Sequence, residues 1–435
     1  MTSARRGAAA PGRIDAAPAG RLDVWYGATL AGTLHDTTPM AFEYAAGWLS
    51  RSPPFAIAAI ALAPGRSDSA AVQAFFENLL PEGEVRQTIA ARSKASTLFA
   101  LLRAVAGDTA GGFVILPAGV APTGAPGYEA TSWKALAVRL GRSNAAAIDL
   151  KSRSARISLA GAQDKAGIAL FADGVPRLPR GTAPSTHIFK PDIRRLNQVW
   201  HSAVNETIVM LTAAHCGLPT AEVFYEPHTR ACLVRRFDRV MQPDGQLGRL
   251  IQYDMCQLAG INSEKKYETE GGPGIAACAE LIRAHSSQPA ADLRHFVLWV
   301  LFNLFTGNHD SHAKNLSLLD RPGHGTALAP FYDLLCTRLY PGLSAEFAFT
   351  IGGESRPGRL TRAHLDTMSA DLRMRPLFVA GLAAELAAKL PRAITNAAAT
   401  VRPLLTPGGK TLASRLTKFI ASNTGKTARR LKLPE

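Results

Sequence analysis

The chain has 435 residues, 47% of them hydrophobic and 19% charged, with a formal net charge of +15. This is enough apolar material for two or three cored units, which excludes a disordered chain, and no apolar run approaches the ~18 residues of a membrane span. The charge suits an acidic partner, a nucleic acid or a protein already sitting on one. The five cysteines, Cys216, Cys232, Cys256, Cys278 and Cys336, are odd in number and widely spaced, without a CxxC pair. They predict a reduced, cytoplasmic setting and no zinc site, and the lack of an apolar span predicts no membrane association.

Residues 1–20 carry Arg5, Arg6 and Arg13 among Ala, Pro and Gly, lack the apolar run of a signal peptide, and are expected to form a disordered tail. Leu22, Val24 and Tyr26 alternate, then Leu30, Gly32 and Leu34, with Gly27 marking the turn of a hairpin. After an apolar run from Phe55 to Leu62, a helical pattern from Ala70 to Leu80 is interrupted by Pro81 within Phe76-Glu77-Asn78-Leu79-Leu80-Pro81-Glu82. Glu77 and Glu82 read there as packing rather than chemistry. Phe113 to Leu116 forms a strand, Pro117 to Gly127 has linker composition, and the first unit ends near residue 145.

In the second unit the run from Ile157 to Gln163, a turn at Gly174-Val175-Pro176, and Ile168 alternating with Leu170 predict strand, turn and strand. Small residues at Ala160-Gly161-Ala162-Gln163 allow backbone N–H groups to approach phosphate oxygens, although Gly161 alone reads as an ordinary turn. Thr186 to Phe189 is extended and leads into Lys190, either a solvated strand-edge lysine or one held against phosphates. The helix from Trp200 to His215, ended by Gly217, carries Glu206, which is either an exposed glutamate or the partner of Lys190. Ala231 to Phe237 is a strand. From about residue 245 the pattern is mostly helical, broken by a loop at Gly271-Gly272-Pro273-Gly274. From Arg402 to Pro434 there are eight basic residues, no acid and one aromatic, Phe419. That pattern predicts a solvated helix with a frayed end more than a nucleic-acid surface.

Ala291 to Phe305 reads as a buried helix ended by Gly307. It delivers Gly307-Asn308-His309-Asp310-Ser311-His312-Ala313-Lys314-Asn315-Leu316-Ser317. Asp310 and Asn315 stand five positions apart, the separation that phosphoryl-transfer enzymes use between a catalytic-loop Asp base and a Mg-binding Asn. Asp333 follows after a short hairpin-like interval and supplies a second group for a metal. Turn chemistry is the alternative for so polar a loop, and His309 with His312 lacks the second ligand cluster of a zinc site.

The run from Asp310 to Ser317 resembles the catalytic loop of the HipA family, the serine/threonine kinase toxins of bacterial type II toxin–antitoxin modules. Matching stretches stand in the family's order: Ile157 to Lys165, Thr186 to Lys190, Arg236-Phe237-Asp238-Arg239, Asp254-Met255-Cys256-Gln257, Gly271 to Ala276 and Pro330-Phe331-Tyr332-Asp333. The resemblance covers the chain from about Leu22 onwards. It implies an α+β, protein-kinase-like (HipA-like) two-lobed fold with an additional N-terminal α/β subdomain at 21–145. A nucleotide-binding lobe at 146–240 and a mostly helical catalytic lobe at 241–435, with a basic C-terminal end, would follow.

The same resemblance implies an enzyme using ATP and Mg2+. Asp310 would be the base, with Lys314 on the γ-phosphoryl group and Asn315 and Asp333 as metal ligands. The nucleotide would be held by Ala160, Gly161, Ala162, Gln163, Asp164, Lys165, Lys190, His312 and Tyr332, and through the backbone of Arg235, Arg236 and Phe237. Arg235 stands where the best-known family pattern has an acid. Asp238 either assists at the ribose or metal or forms an ion pair with Arg236 or Arg239. Ser158 matches the family's autophosphorylated serine, with Arg153 and Arg156 close enough in sequence to capture its phosphate; the alternative is a strand serine bonded to a neighbour. Implied partners are a protein substrate such as glutamyl-tRNA synthetase, a small helix-turn-helix antitoxin, and operator DNA only through the antitoxin complex. A small-molecule or lipid kinase of the same distant fold, or a non-catalytic ATP-binding module, are the competing readings.

Overall fold

A computed structural model describes residues 20–105, 107–122, 127–142, 165–194 and 196–434. Ser158, Arg153, Arg156, Ala160, Gly161, Ala162, Gln163 and Asp164 lie outside the described residues.

The alternation after Leu22 becomes the hairpin β1 (Arg21–Tyr26) and β2 (Thr29–His35), turned at Gly27 with φ +56°. β3 (Ala41–Tyr44), the single turn α1 (Ala46–Leu49) and β4 (Arg66–Ser67) follow, then α2 (Ala70–Asn78), α3 (Gly83–Ser93) and α4 (Leu98–Val105). β5 (Phe113–Pro117) returns to pair with β1, completing an antiparallel sheet in the order β4-β3-β2-β1-β5. Alternate side chains of a strand share a face, so Leu22, Val24, Leu34 and Phe42 all point into one core with Trp48, Phe75 and Phe76.

β6 (Gly127–Ala130), placed before the boundary at residue 145, pairs with β8 (Arg177–Arg180) and so joins the second unit. That unit adds α5 (Trp133–Arg142), β7 (Ala166–Ile168), β9 (His187–Pro191), α6 (Ser202–His215), β10 (Val223–Glu226) and β11 (Ala231–Arg235), in a sheet ordered β10-β11-β9-β7. Strand parity sorts its residues: Phe189, Ala231 and Leu233 face Leu136 and Leu140 of α5, whereas Cys232 and Val234 join the core that contains α6. Lys190 is paired with Cys232 across the ladder and is therefore on the α6 side.

The C-terminal lobe is helical around two small sheets that its periodicity does not announce. β12 (Arg239–Met241) pairs with β13 (Leu247–Arg249), and β14 (Gln252–Asp254) pairs with β15 (Ser317–Arg321), which pairs with β16 (Gly325–Leu328). Its helices are α7 (Met255–Ala259), α8 (Ile275–His285), α9 (Pro289–Thr306), α10 (Arg362–Asp371), α11 (Pro376–Val401) and α12 (Pro407–Arg430). α9 starts at Pro289, pre-organised for the first helical position, and buries Phe296, Trp299, Phe302 and Phe305 completely. The basic C-terminal stretch is not frayed. α12 continues to Arg430 with Leu412, Leu416 and Ile420 buried, because apolar residues recur at helical spacing beneath an outer face that carries the bases. Among the described residues no helix is long and apolar enough to cross a membrane.

Buried charge ties the first unit to the other two. Asp108 meets Arg239 at 2.8 Å and Arg236 and Arg249 at 3.4 Å, and accepts from the Ser185 amide and hydroxyl at 3.0 and 2.6 Å. Burial opposes its charge, but Arg239 and Arg236 hold its carboxyl well below the usual range. Glu77 of α2 accepts from the Ser263 amide at 2.8 Å in the C-terminal lobe, the packing role its sequence setting implied. Removing one partner from a buried ion network costs about 3–5 kcal/mol, so Asp108→Asn should lower the unfolding free energy by that amount near neutral pH. A carboxyl depressed in the folded state stabilises above its unfolded pKa of about 3.9 and loses that contribution as pH falls. The gap between wild type and variant in urea denaturation should be steady from pH 5 to 8 and shrink below about pH 4.

Candidate active site

Three elements converge on one ammonium group. Lys190 at the end of β9 lies 2.5 Å from Glu206 of α6 and 2.6 Å from Asp333, which follows β16. Lys190 and Glu206 are buried, so the lysine is neither the solvated edge residue nor Glu206 the exposed helix residue that the sequence left open. Burial alone would discharge Lys190, but Asp333 and Glu206 keep it protonated. Burial also works to raise the Asp333 carboxyl, yet Lys190 and Lys165 hold it well below the usual carboxylate range. Asp333 sits at φ +58°, in the left-handed region that only short polar residues enter readily.

The loop bearing Asp310 is built by the end of α9. Gly307 closes that helix at φ +73°, and a Cβ there would come within 3.0 Å of Phe419 and 3.2 Å of Arg338, so only glycine fits. Asn423 of α12 donates to the Phe305 and Leu304 carbonyls at 2.8 and 3.2 Å, satisfying acceptors that a helix end leaves open. The Asn308 side chain then bridges, donating to Asn303 at 2.8 Å and accepting from the Asp310 amide at 3.2 Å. Asn315 donates to the Asp310 carbonyl at 3.0 Å, which fixes the amide and leaves its side-chain oxygen for another partner. Tyr332, half-buried beneath, donates to the Lys314 carbonyl at 2.8 Å. Turn chemistry is present here, and it serves to hold the polar groups in place.

Lys190, Asp310, Asn315, Tyr332 and Asp333 line one cavity of about 310 Å³. Its charged side carries Lys165, Lys190, Asp310, His312, Lys314, Asn315 and Asp333; its apolar side carries Ile188, Val199, Val234, Phe237, Leu335 and Leu343. Phe237 packs on Tyr332 with ring centroids 5.6 Å apart. The Arg235 and Arg236 amides donate to Glu222 and Thr186 carbonyls at 2.8 and 2.9 Å and are committed to the sheet. The Arg235 side chain points outward to Glu222, 2.9 Å away. For Asp238 the ion-pair alternative is formed with both arginines, 2.7 Å to Arg236 and 2.9 Å to Arg239, and its carboxylate also accepts from the Gly111 amide at 2.8 Å.

Sequence reading missed a second set of groups at the same cavity. Glu82 pairs with Lys266 at 2.7 Å and approaches Lys314 at 3.4 Å, while Asn78 accepts from Lys314 at 2.5 Å. Burial works against the Glu82 charge, but Lys314 and Lys266 bring its pKa down to about 2. Asp254, the N-cap of α7, is 3.9 Å from Lys314, and burial pushes its pKa up to about 6. Tyr267 donates to Asp310 at 2.5 Å. The available signals were the glycine-rich loop, the Asp254 stretch and the Pro81 phrase; nothing in the sequence links them.

The donor set fits a hard cation bound jointly with phosphate. Asn315 and Asp333 offer oxygen ligands, which is what Mg2+ takes when substrate phosphates and waters complete its shell. No cluster of three or more His, Cys, Asp or Glu side chains suited to a metal occurs among the described residues. His312 is buried, its Nδ1 lacks a hydrogen-bond partner among the described residues, and burial lowers its pKa to about 4. It is therefore a neutral imidazole at pH 7 in the lining of the cavity, able to donate or accept a hydrogen bond.

A strand lysine paired with a helix glutamate, a loop carrying Asp and Asn five positions apart, and a further Asp against the lysine define a protein-kinase-like enzyme. Models of the HipA-like C-terminal domain and the HipA N-terminal domain match residues 157–398 and 22–116. The chain belongs to the HipA family. It is 36% identical over 361 residues to Y4mE, a candidate kinase of Sinorhizobium fredii, covering 79% of this chain and 83% of that protein. It is 31% identical over 361 residues to the serine/threonine-protein kinase toxin HipA of Shewanella oneidensis, covering 78% of this chain and 80% of that one. A solved complex of Shewanella oneidensis HipA with HipB and its operator DNA contains a chain that superimposes with a TM-score of 0.79. The identity is 25%, covering 94% of this chain and 98% of that one.

The buried triad makes a direct prediction. Glu206→Ala leaves Lys190 with Asp333 alone in a desolvated position and should cost about 3–5 kcal/mol in chemical denaturation. A loss under about 1 kcal/mol would mean that the glutamate contributes little to holding the lysine.

Proposed function

We propose that the protein is an ATP- and Mg2+-dependent serine/threonine protein kinase acting as the toxin of a toxin–antitoxin module. The observation that carries this reading is the convergence of Asp310, Asn315, Asp333 and the Glu206-paired Lys190 on one cavity. The apolar side of the cavity suits an adenine ring, and its lysines suit the phosphates. Mg2+ bound by Asn315 and Asp333 would supply charge neutralisation between phosphate groups. Lys190 steadies phosphate oxygens, and Lys314 neutralises the γ-phosphoryl group as it transfers. Asp310 accepts the proton of the acceptor hydroxyl. Because such catalysis is mostly positioning and electrostatics, the rigid support under the loop is part of the machinery.

The acceptor is a translation-related protein such as glutamyl-tRNA synthetase or another aminoacyl-tRNA synthetase, and Ser158 is the site of self-phosphorylation. The Shewanella oneidensis complex supports a small helix-turn-helix antitoxin as partner, with operator DNA reached through it. The outer face of α12, exposing Lys418, Lys426 and Arg429, together with Lys432 just beyond its end, suits phosphates in such an assembly.

Asp310→Asn should fold and bind ATP as the wild type does, while phosphotransfer falls by about 10²- to 10⁴-fold, the usual share of a general base. Phosphoproteomics after induced expression of both forms would identify the acceptor; equal phosphotransfer by the variant would remove the assignment of Asp310. Lys165 gives a pH dependence. Burial, with Lys190 beside it, lowers its pKa to about 8. Its charge is therefore lost as pH rises through 8, and a charged hydrogen bond to phosphate is worth about 1.5–3 kcal/mol. The Kd for ATP should rise roughly tenfold or more between pH 7 and pH 9.5. Lys165→Met should bind weakly at both pH values and lose that rise; a wild-type Kd flat over the range would remove Lys165 from the phosphate site.

A further inference from the structure

The glycine-rich loop between α7 and α8 has no part in the chemistry described so far, yet it delivers one side chain to the base. Tyr267 donates its hydroxyl proton to Asp310 Oδ1 at 2.5 Å. The residues on either side of it are pinned. Lys266 is tied to Glu82 at 2.7 Å, and Glu268 accepts from the Thr350 amide and hydroxyl at 2.5 and 2.9 Å. The loop folds back so tightly that the Gly272 amide donates to the Tyr267 carbonyl at 2.9 Å, and a Cβ on Gly272 would lie 2.3 Å from the Lys265 carbonyl. The Tyr267 ring stands edge-on to His312 with centroids 5.2 Å apart. A half-buried tyrosine so fixed is aimed at Asp310, which is itself exposed at the mouth of the cavity.

A hydroxyl donating to the base is the hydrogen bond that an acceptor serine or threonine must make before transfer. We propose that Tyr267 is a gate on the base, its hydroxyl occupying the acceptor's place on Asp310 and keeping water from that carboxylate until an acceptor hydroxyl displaces it. This rests on Asp310 being the base of the proposed kinase. Burial first, and the Asp310 carboxylate second, push the Tyr267 pKa upward. The phenol thus stays protonated, a donor that blocks the position without becoming a nucleophile. Opening needs rotation about the Tyr267 side-chain bonds and no movement of the anchored backbone.

Without the gate, water takes the acceptor's position. Its oxygen forms a bond to the γ-phosphorus, its proton passes to Asp310, and the bond from phosphorus to the β,γ-bridging oxygen breaks with its electron pair leaving on ADP. The products are ADP and inorganic phosphate, with no phosphoprotein formed. Tyr267 is in these terms a positioning residue that suppresses hydrolysis.

The test measures initial rates of phosphate release from ATP and Mg2+ by the full chain without added acceptor, beside incorporation of labelled phosphate into protein. Tyr267→Phe removes only the hydroxyl, and Tyr267→Leu also removes the ring from His312. Both should release phosphate at least about fivefold faster than wild type with an unchanged KM for ATP, and adding Asp310→Asn should abolish the excess. A rate equal to or below that of wild type in Tyr267→Phe overturns the gate, as does an excess that survives Asp310→Asn. If Asp310→Asn alone leaves phosphate incorporation undiminished, the assignment of the base falls and the gate with it. If that variant loses incorporation while Tyr267→Phe hydrolyses as wild type does, the gate alone falls.

Discussion

A lysine ammonium held out of water between two carboxylates is the constraint on which the site depends. Desolvating Lys190 is tolerable only because Glu206 and Asp333 both reach it, and each comes from a different element. The pairing therefore fixes the distance of α6 from β9 and the path of the chain after β16. Asp333 reaches its place in a backbone conformation that costs of order 1–3 kcal/mol. The surroundings over-determine it: the Phe331 amide donates to the Pro219 carbonyl at 2.7 Å on one side, and the Cys336 amide donates to Asn205 at 2.8 Å on the other. Asn205 is the residue before Glu206, so the helix that supplies one partner of the lysine also anchors the chain that supplies the other.

What could be read from the sequence was local. Period-two alternation gave the first hairpin, and the apolar repeat with Gly307 gave α9, because each signal lies within one element. The spacing of Asp310 and Asn315 marked the loop for the same reason. The placement of Asp238 stayed open between two roles because a partner that settles it, the Gly111 amide, lies 127 positions earlier and outside any motif. Asn78, Glu82 and Lys266 were silent as site residues for the same cause; Lys266 and Glu82 are 184 positions apart. At the C-terminus the basic residues were the louder signal and concealed Leu412, Leu416 and Ile420, whose spacing marks a packed face. Asn423, which caps α9 from that helix, had no signal of its own.

Contacts across the whole chain also change how the N-terminal unit should be understood. Its composition gives no catalytic pattern, yet Asn78 and Glu82 stand at the end of α2 and the start of α3 with their side chains in the cavity. Glu77, one residue from Asn78, is bonded to Ser263 in the catalytic lobe, and Asn78 itself donates to the Ile261 carbonyl at 2.8 Å. The segment around Pro81 is thus bolted to the catalytic lobe by backbone and side-chain bonds before it presents anything to the site. Displacement of this unit by even an ångström would disturb Lys314 and Lys266 together.

The charges of the cavity are balanced before any substrate arrives. Lys190 rests on Glu206 and Asp333, Lys314 on Asn78 and Glu82, and Lys266 on Glu82. An anionic ligand entering such a site does not draw cations out of water; it exchanges one set of negative partners for another inside a region already poor in water. The reorganisation required is small, which is the condition under which fixed charges act most strongly on a developing transition state. The same arrangement sets a limit. In the proposed kinase each lysine would leave or share a carboxylate to serve a phosphate, so the strength of its pairing with Glu82 or Glu206 would set how readily it is released. Glu82, held ionised down to about pH 2, remains a competitor for Lys314 at every physiological pH. The N-terminal unit, which supplies that carboxylate and Asn78, thus meets two lysines of the cavity, Lys314 and Lys266.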